Sequence, residues 1–237
     1  MWTALANAQS INLTDGINRV SRIDIQDTQL QTLNGFNTKA VDIITIANNP
    51  YMTNLSIPLS NIGTNLTVQA NGKNFNAELP NFPWANNVKF RNISLLSMPS
   101  INYINNYFGL YGNNFKEFGV GRLGVIKGSL GIASNPTLTN ISLPSLLSIS
   151  SLRIKNNTKV KTINGFAELG TISCPLNLSG NFSEYGLVGL RQFMTAMLTR
   201  TVCHYPRCRA SSIQLPSRLR TRTWTARPSI PVRLKKL

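Results

Sequence analysis

The chain has 237 residues, 24 Lys and Arg against 8 Asp and Glu, and a formal net charge of +16. Its length and 42% hydrophobic share allow one sizeable core, or at most two small ones. No apolar run of about 18 residues occurs, which excludes a membrane-spanning helix. The single His, His204, excludes histidine-based metal sites from the main body, and three Cys cannot form a disulfide framework by themselves. Charge is uneven: residues 1–190 hold 13 basic and 8 acidic side chains, while residues 191–237 hold 11 basic and none acidic.

In chain order, residues 1–20 read as a partial rung or cap. Eight apolar-x-apolar triplets follow: Ile23-Asp24-Ile25, Ile44-Thr45-Ile46, Leu66-Thr67-Val68, Val88-Lys89-Phe90, Phe108-Gly109-Leu110, Leu130-Gly131-Ile132, Leu152-Arg153-Ile154 and Leu176-Asn177-Leu178. Successive starts lie 20 to 24 residues apart. Each triplet reads as a short strand with alternate side chains pointing inward. A strand of three residues cannot bury its face alone, so repeats of this length must stack on their neighbours. Eight rungs at about 4.8 Å each give an inner column on the order of 40 Å long. The pattern predicts an all-β chain: a right-handed parallel β-solenoid of leucine-rich repeats, about eight rungs of about 22 residues.

Asn occurs 29 times, always before position 182, and it is periodic. Three residues after the second apolar position stand Asn49, Asn71, Asn113, Asn135, Asn157 and Asn181, with Thr28 and Ile93 replacing Asn in two rungs. An inward amide at a turn can satisfy freed backbone groups and bond to its counterparts above and below, which predicts an Asn ladder. A second apolar face follows each turn, for example Met52/Leu55/Ile57, and several units then end in apolar-Pro at a corner, such as Ile57-Pro58 and Leu143-Pro144.

Eight Asn-x-Ser/Thr sequons occur. Asn12, Asn54, Asn65, Asn92, Asn140, Asn156 and Asn177 are N-glycosylation candidates, whereas Asn181 occupies the ladder register. Asn54 and Asn140 precede inward Leu55 and Ile141, so both are expected to point outward. Used sequons imply the secretory pathway. Met1–Asn7 show no basic and apolar leader, which by itself predicts a cytosolic chain.

The stretches Leu30–Phe36, Asn81–Asn87, Lys155–Phe166 and Leu176–Phe182, in this order, resemble the GPI-anchored fungal cell-wall organisation proteins with receptor L-domain-like repeats. The resemblance covers roughly residues 5–190. It implies a glycosylated, non-enzymatic protein of the cell wall or outer plasma-membrane face, one that supports wall organisation and integrity, with wall polysaccharide or wall proteins as partners. The family's leader, further repeats, Cys-containing cap, Ser-rich stalk and GPI signal find no match here, so the chain reads as a fragment of such a protein. An extracellular receptor-type repeat domain binding a glycan or protein ligand is the other reading.

Residues 191–237 contain no Asn and no repeat, but carry Arg-x-Arg spacing at Arg218, Arg220 and Arg222. They read as a basic disordered tail, a nucleic-acid arm without a binding fold behind it, or the product of a shifted reading frame or unspliced intron. Cys203, His204 and Cys208 are poorly spaced for zinc, and Cys174 lies far away. Neither a metal nor another cofactor is expected. No column of paired acids forms on the strand face, so no catalytic residue is assigned. That face mixes Thr, Lys, Arg and Asn, which could hydrogen-bond glycan hydroxyls. Tyr51, Trp84, Tyr103, Tyr107 and Tyr111 are read first as fillers of wide corners, with sugar stacking as the alternative.

Overall fold

The structure is a computed structural model that describes residues 10–12, 19–34, 40–58, 65–163, 165–173, 176–180, 184–185 and 192–193. Among the described residues there is no helix, and the strands stack in parallel as a β-solenoid. The basic segment after Phe193, Cys174 and Asn181 lie outside the described residues.

All eight triplets fall in one long sheet. Its strands are Arg19–Gln26, Ala40–Ala47, Asn65–Gln69, Trp84–Arg91, Tyr103–Tyr111, Val125–Ala133, Ser148–Lys155 and, paired to the last of these, Thr171–Ile172 and Leu176–Ser179. Eight stacked positions joined by seven turns make up the coil. Gln192–Phe193 pair with Thr171–Ile172 and continue the sheet by one step. Like residues stack on like: Ile44 pairs with Leu66, Leu66 with Val88, and Phe108 with Leu130. On the opposite side short strands pair the same way, with Leu55, Ala77 and Leu96 in one register and Phe118 with Ile141 in another.

Between the two sides lies one continuous apolar core. The triplet residues from Ile44 to Ile154 are buried, and only the ends, Ile23 and Leu178, are half-covered. A terminal rung has a neighbour on one side only, so its apolar residues stay partly open. Phe75, Phe82, Phe90, Phe108 and Phe166 fill the widest parts of the interior. Before the prolines, the residues Ile57, Leu79 and Leu143 still donate N–H to the next rung, at 2.9, 2.9 and 2.6 Å. The imino group follows where the short strand ends, so no ladder donor is lost.

The turn after each of the first seven triplets rests on two adjacent positions. The first is left-handed: Asp27, Asn48, Ala70, Asn92, Gly112, Ser134 and Asn156 all have φ between 52° and 60°. The second carries the inward amide. Asn135 Oδ1 accepts the Asn113 N–H at 2.8 Å while its Nδ2 donates to the Leu110 carbonyl at 3.2 Å. Asn157 repeats this on Asn135 N–H (3.0 Å) and the Ile132 carbonyl (2.9 Å), and its Oδ1 also accepts Asn135 Nδ2. Asn49 and Asn71 do the same one and two rungs above Thr28, whose hydroxyl donates to Asn49 Oδ1 at 2.6 Å. Ile93 has no amide, so the Asn–Asn contacts run in two segments. Asn113 still receives the Ile93 N–H at 3.1 Å.

Two stability changes follow. Asn135→Leu strands the Asn113 N–H and the Leu110 carbonyl in the core and is expected to cost about 2–4 kcal/mol in urea unfolding, since each buried unpaired group costs about 1–3 kcal/mol. Ala70 holds a left-handed backbone that disfavours any Cβ. Ala70→Gly, normally destabilising in a strand, is expected to stabilise by about 0.5–1 kcal/mol, read from the shift of the thermal midpoint.

Candidate functional site

The outward residues of the long sheet form a flat face with straight columns. Lys89, Gly109, Gly131 and Arg153 lie in one column, and Arg91, Tyr111, Ala133 and Lys155 in the next. Asn87, Tyr107, Ser129 and Ser151 form a third. A pleated strand places alternate residues outward, so Tyr107, Gly109 and Tyr111 share one face of one strand.

Gly109 and Gly131 create room for the tyrosines. A Cβ on Gly109 would sit 2.6 Å from the Tyr107 ring edge and hydroxyl and 2.7 Å from the Tyr111 ring. A Cβ on Gly131 would run into the Tyr111 hydroxyl. The two rings therefore lie across the glycines, and their hydroxyls hydrogen-bond to each other. This covering buries both glycines on the outer surface of the sheet. Desolvation against the sheet raises the Tyr107 phenol well above its usual range, the bond to Tyr111 adds to this, and Arg153 opposes it.

Cations surround the pair. The strands Trp84–Arg91, Tyr103–Tyr111, Val125–Ala133 and Ser148–Lys155 contain Lys89, Arg91, Lys127, Arg153 and Lys155 and no acid. Among the described residues Lys89, Arg91, Arg153 and Lys155 enter no ion pair; the salt bridges Arg19–Asp42 and Arg22–Asp24 lie two or more rungs away. Lys127 Nζ stands 5.6 Å from the Tyr103 ring centroid. Amides add hydrogen-bonding capacity: Asn105 and Asn106 both donate to Asn86 Oδ1 at 2.9 Å.

The tyrosines and Trp84 thus do not fill corners. The described phenylalanine side chains take the interior, while Trp84 and Tyr51 are exposed and Tyr103, Tyr107 and Tyr111 are half-buried outside. The physical reason is the polar tip: a Tyr or Trp inside a coil whose backbone groups are already paired would find no partner. The informative signal was Tyr-x-Gly-x-Tyr at 107–111 with a second glycine, Gly131, one rung later.

The other sequence-selected positions are dispersed. Asn54, Asn92, Asn140 and Asn156 are exposed, with Asn92 and Asn156 at the left-handed corners. Asn65 and Asn177 are half-buried on the outer sheet face, and Asn65 Oδ1 accepts Asn87 Nδ2. Asn12 lies in the strand Ser10–Asn12, its side chain outside the described set. Ladder residues Asn49, Asn113, Asn135 and Asn157 are fully buried, and Asn71 is half-buried. Arg22 holds the Asp24 carboxyl below the usual carboxylate range. No group of three or more His, Cys, Asp or Glu comes together among the described residues, and no described helix is long and apolar enough to cross a membrane.

No family model matches the chain, and no solved structure matches it significantly. Curated proteins do. A cell surface GPI-anchored protein of Arthroderma benhamiae is 30% identical over 186 residues, covering 78% of this chain and 48% of the relative. Protein ecm33 of Aspergillus fumigatus is 34% identical over 150 residues, 63% of this chain and 37% of the relative. Sporulation-specific protein 2 of Saccharomyces cerevisiae is 28% identical over 192 residues, 80% and 38%. The chain is a homologue of the ecm33-type GPI-anchored fungal cell-wall proteins. This homologue spans about half or less of the length of the curated relatives it matches.

The raised Tyr107 phenol has a directional consequence. A group whose folded pKa is raised contributes stability below its unfolded value, about 10, and loses it as pH rises through the folded value. Stability is therefore expected to fall as pH rises above about 10. Tyr107→Phe should flatten that alkaline limb, measured as thermal midpoint against pH.

Proposed function

We propose that this chain is part of a non-enzymatic cell-wall protein of fungi that supports wall organisation and integrity from the cell surface. The observation that carries this is the match to a cell surface GPI-anchored protein over 78% of the chain and to a cell wall mannoprotein over 76%. The architecture agrees with it. A core of stacked rungs leaves a long face free for contacts, as extended repeat proteins do. In this reading the partners are wall polysaccharide or wall proteins. The exposed sequon residues Asn54, Asn92, Asn140 and Asn156 carry N-glycans, with Asn12, Asn65 and Asn177 as further acceptors.

A receptor-type extracellular domain that binds a glycan or protein ligand is the second reading, favoured by the Tyr107–Tyr111 patch. Loss of the gene separates the two. A wall role predicts hypersensitivity to wall-perturbing dyes with rescue by osmotic support, together with an endoglycosidase-sensitive mass shift of protein taken from the wall fraction. Wild-type dye tolerance in the deletion strain, or an unglycosylated protein confined to the cytosol, would overturn the wall reading.

A further inference from the structure

We propose that the patch formed by Tyr107, Tyr111 and the flanking cations Lys89, Arg91, Arg153 and Lys155 is a binding site for an acidic glycan, a saccharide chain that carries phosphodiester or carboxylate groups. The inference rests on the wall reading above and names the ligand class of this face.

Three observations carry it. The two tyrosine rings are laid against the sheet over Gly109 and Gly131, so they are held in place before any ligand arrives. A half-buried aromatic ring offers an apolar face beside a polar edge, which suits the C–H face of a pyranose ring with its hydroxyls at the rim. Second, the cations stand on both sides of the rings and, among the described residues, form no ion pair with a carboxylate. A face with no acid in four successive strands concentrates positive potential where an anion would dock.

The third observation concerns length. Lys89 and Arg153 share one column, and Gly109 and Gly131 separate them. Three rung steps at about 4.8 Å put their backbones about 14 Å apart. Cations so separated, with rings between them, are arranged for repeated charges along a chain more than for one small anion. The flat sheet lets an extended polymer lie across the rungs without bending.

The test uses the full chain, titrated with fluorescent oligosaccharides: a phosphodiester-bearing mannooligosaccharide, an oligogalacturonate and a neutral β-1,3-glucan of equal length. Anionic lipid vesicles and single-stranded RNA serve as competing polyanions. Saturable binding to one or both acidic saccharides, weakened by added salt, is expected, and the two acidic probes distinguish phosphodiester from carboxylate. The pair Tyr107→Ala and Tyr111→Ala should weaken it about tenfold. Lys89→Glu with Arg153→Glu should weaken binding further and reduce its salt dependence. Gly131→Val, which pushes the Tyr111 hydroxyl off the sheet and leaves the core untouched, should weaken binding while the thermal midpoint holds. It covers the case in which the tyrosine pair fails to fold.

Equal or tighter binding of the neutral glucan, preference for vesicles or RNA, or indifference to all three replacements overturns the proposal. Such a result with dye hypersensitivity intact in the deletion strain leaves the wall role standing. A chain absent from the wall removes both.

Discussion

The buried side-chain amide is the interaction on which this molecule depends. A coil that turns every rung would leave N–H and C=O groups at each corner facing an apolar interior, where each unpaired group costs about 1–3 kcal/mol. One Asn per rung answers both groups at once. Its Oδ1 takes the N–H of the equivalent residue in the preceding rung, and its Nδ2 gives to the carbonyl that lies three residues before that equivalent residue, in the same preceding rung. Asn71 and Asn157 accept a second donor from the neighbouring amide, which ties each rung to the next across its side chains as well as its backbone. Ile93 shows how local the device is. The amide contacts pause there, yet the core continues without interruption because the apolar side chain is fully buried.

The corner geometry follows from the same need. To bring the amide inward immediately after the strand, the preceding residue must reverse the chain in the left-handed region. Asp, Asn and Gly tolerate that conformation best, and they fill five of the seven corners: Asp27, Asn48, Asn92, Gly112 and Asn156. Thus one abundant residue type serves two purposes at adjacent positions, as in Asn48-Asn49 and Asn156-Asn157. The exposed member of such a pair can also sit in a sequon.

With the core and corners carrying the fold, the outer face of the long sheet is released from structural duty. It carries cations and tyrosines, which the described interior excludes, together with further amides. Glycines at 109 and 131 give up side chains so that Tyr107 and Tyr111 can lie down. A solenoid makes such a face straight, because each rung presents the same register to solvent.

The repeat period, the inward triplets, the parallel stacking and the ladder positions Asn49, Asn71, Asn113, Asn135 and Asn157 were readable from residue spacing. Each is a one-dimensional pattern that a stacked coil copies rung by rung. The sequence by itself also set the charge imbalance of the middle rungs, since no acid occurs between residues 84 and 111 or 125 and 155. Three things waited for the tertiary structure. Spacing marked the amide positions but did not show that the preceding residue turns left-handed, because Ala70 and Ser134 have no such preference. Composition could not say that phenylalanines go inside and tyrosines outside, which depends on where polar tips find partners. Nor could it show that Gly131 makes room for a tyrosine 20 residues earlier. That contact exists only because the rungs lie side by side, and it converts scattered aromatics and cations into one surface.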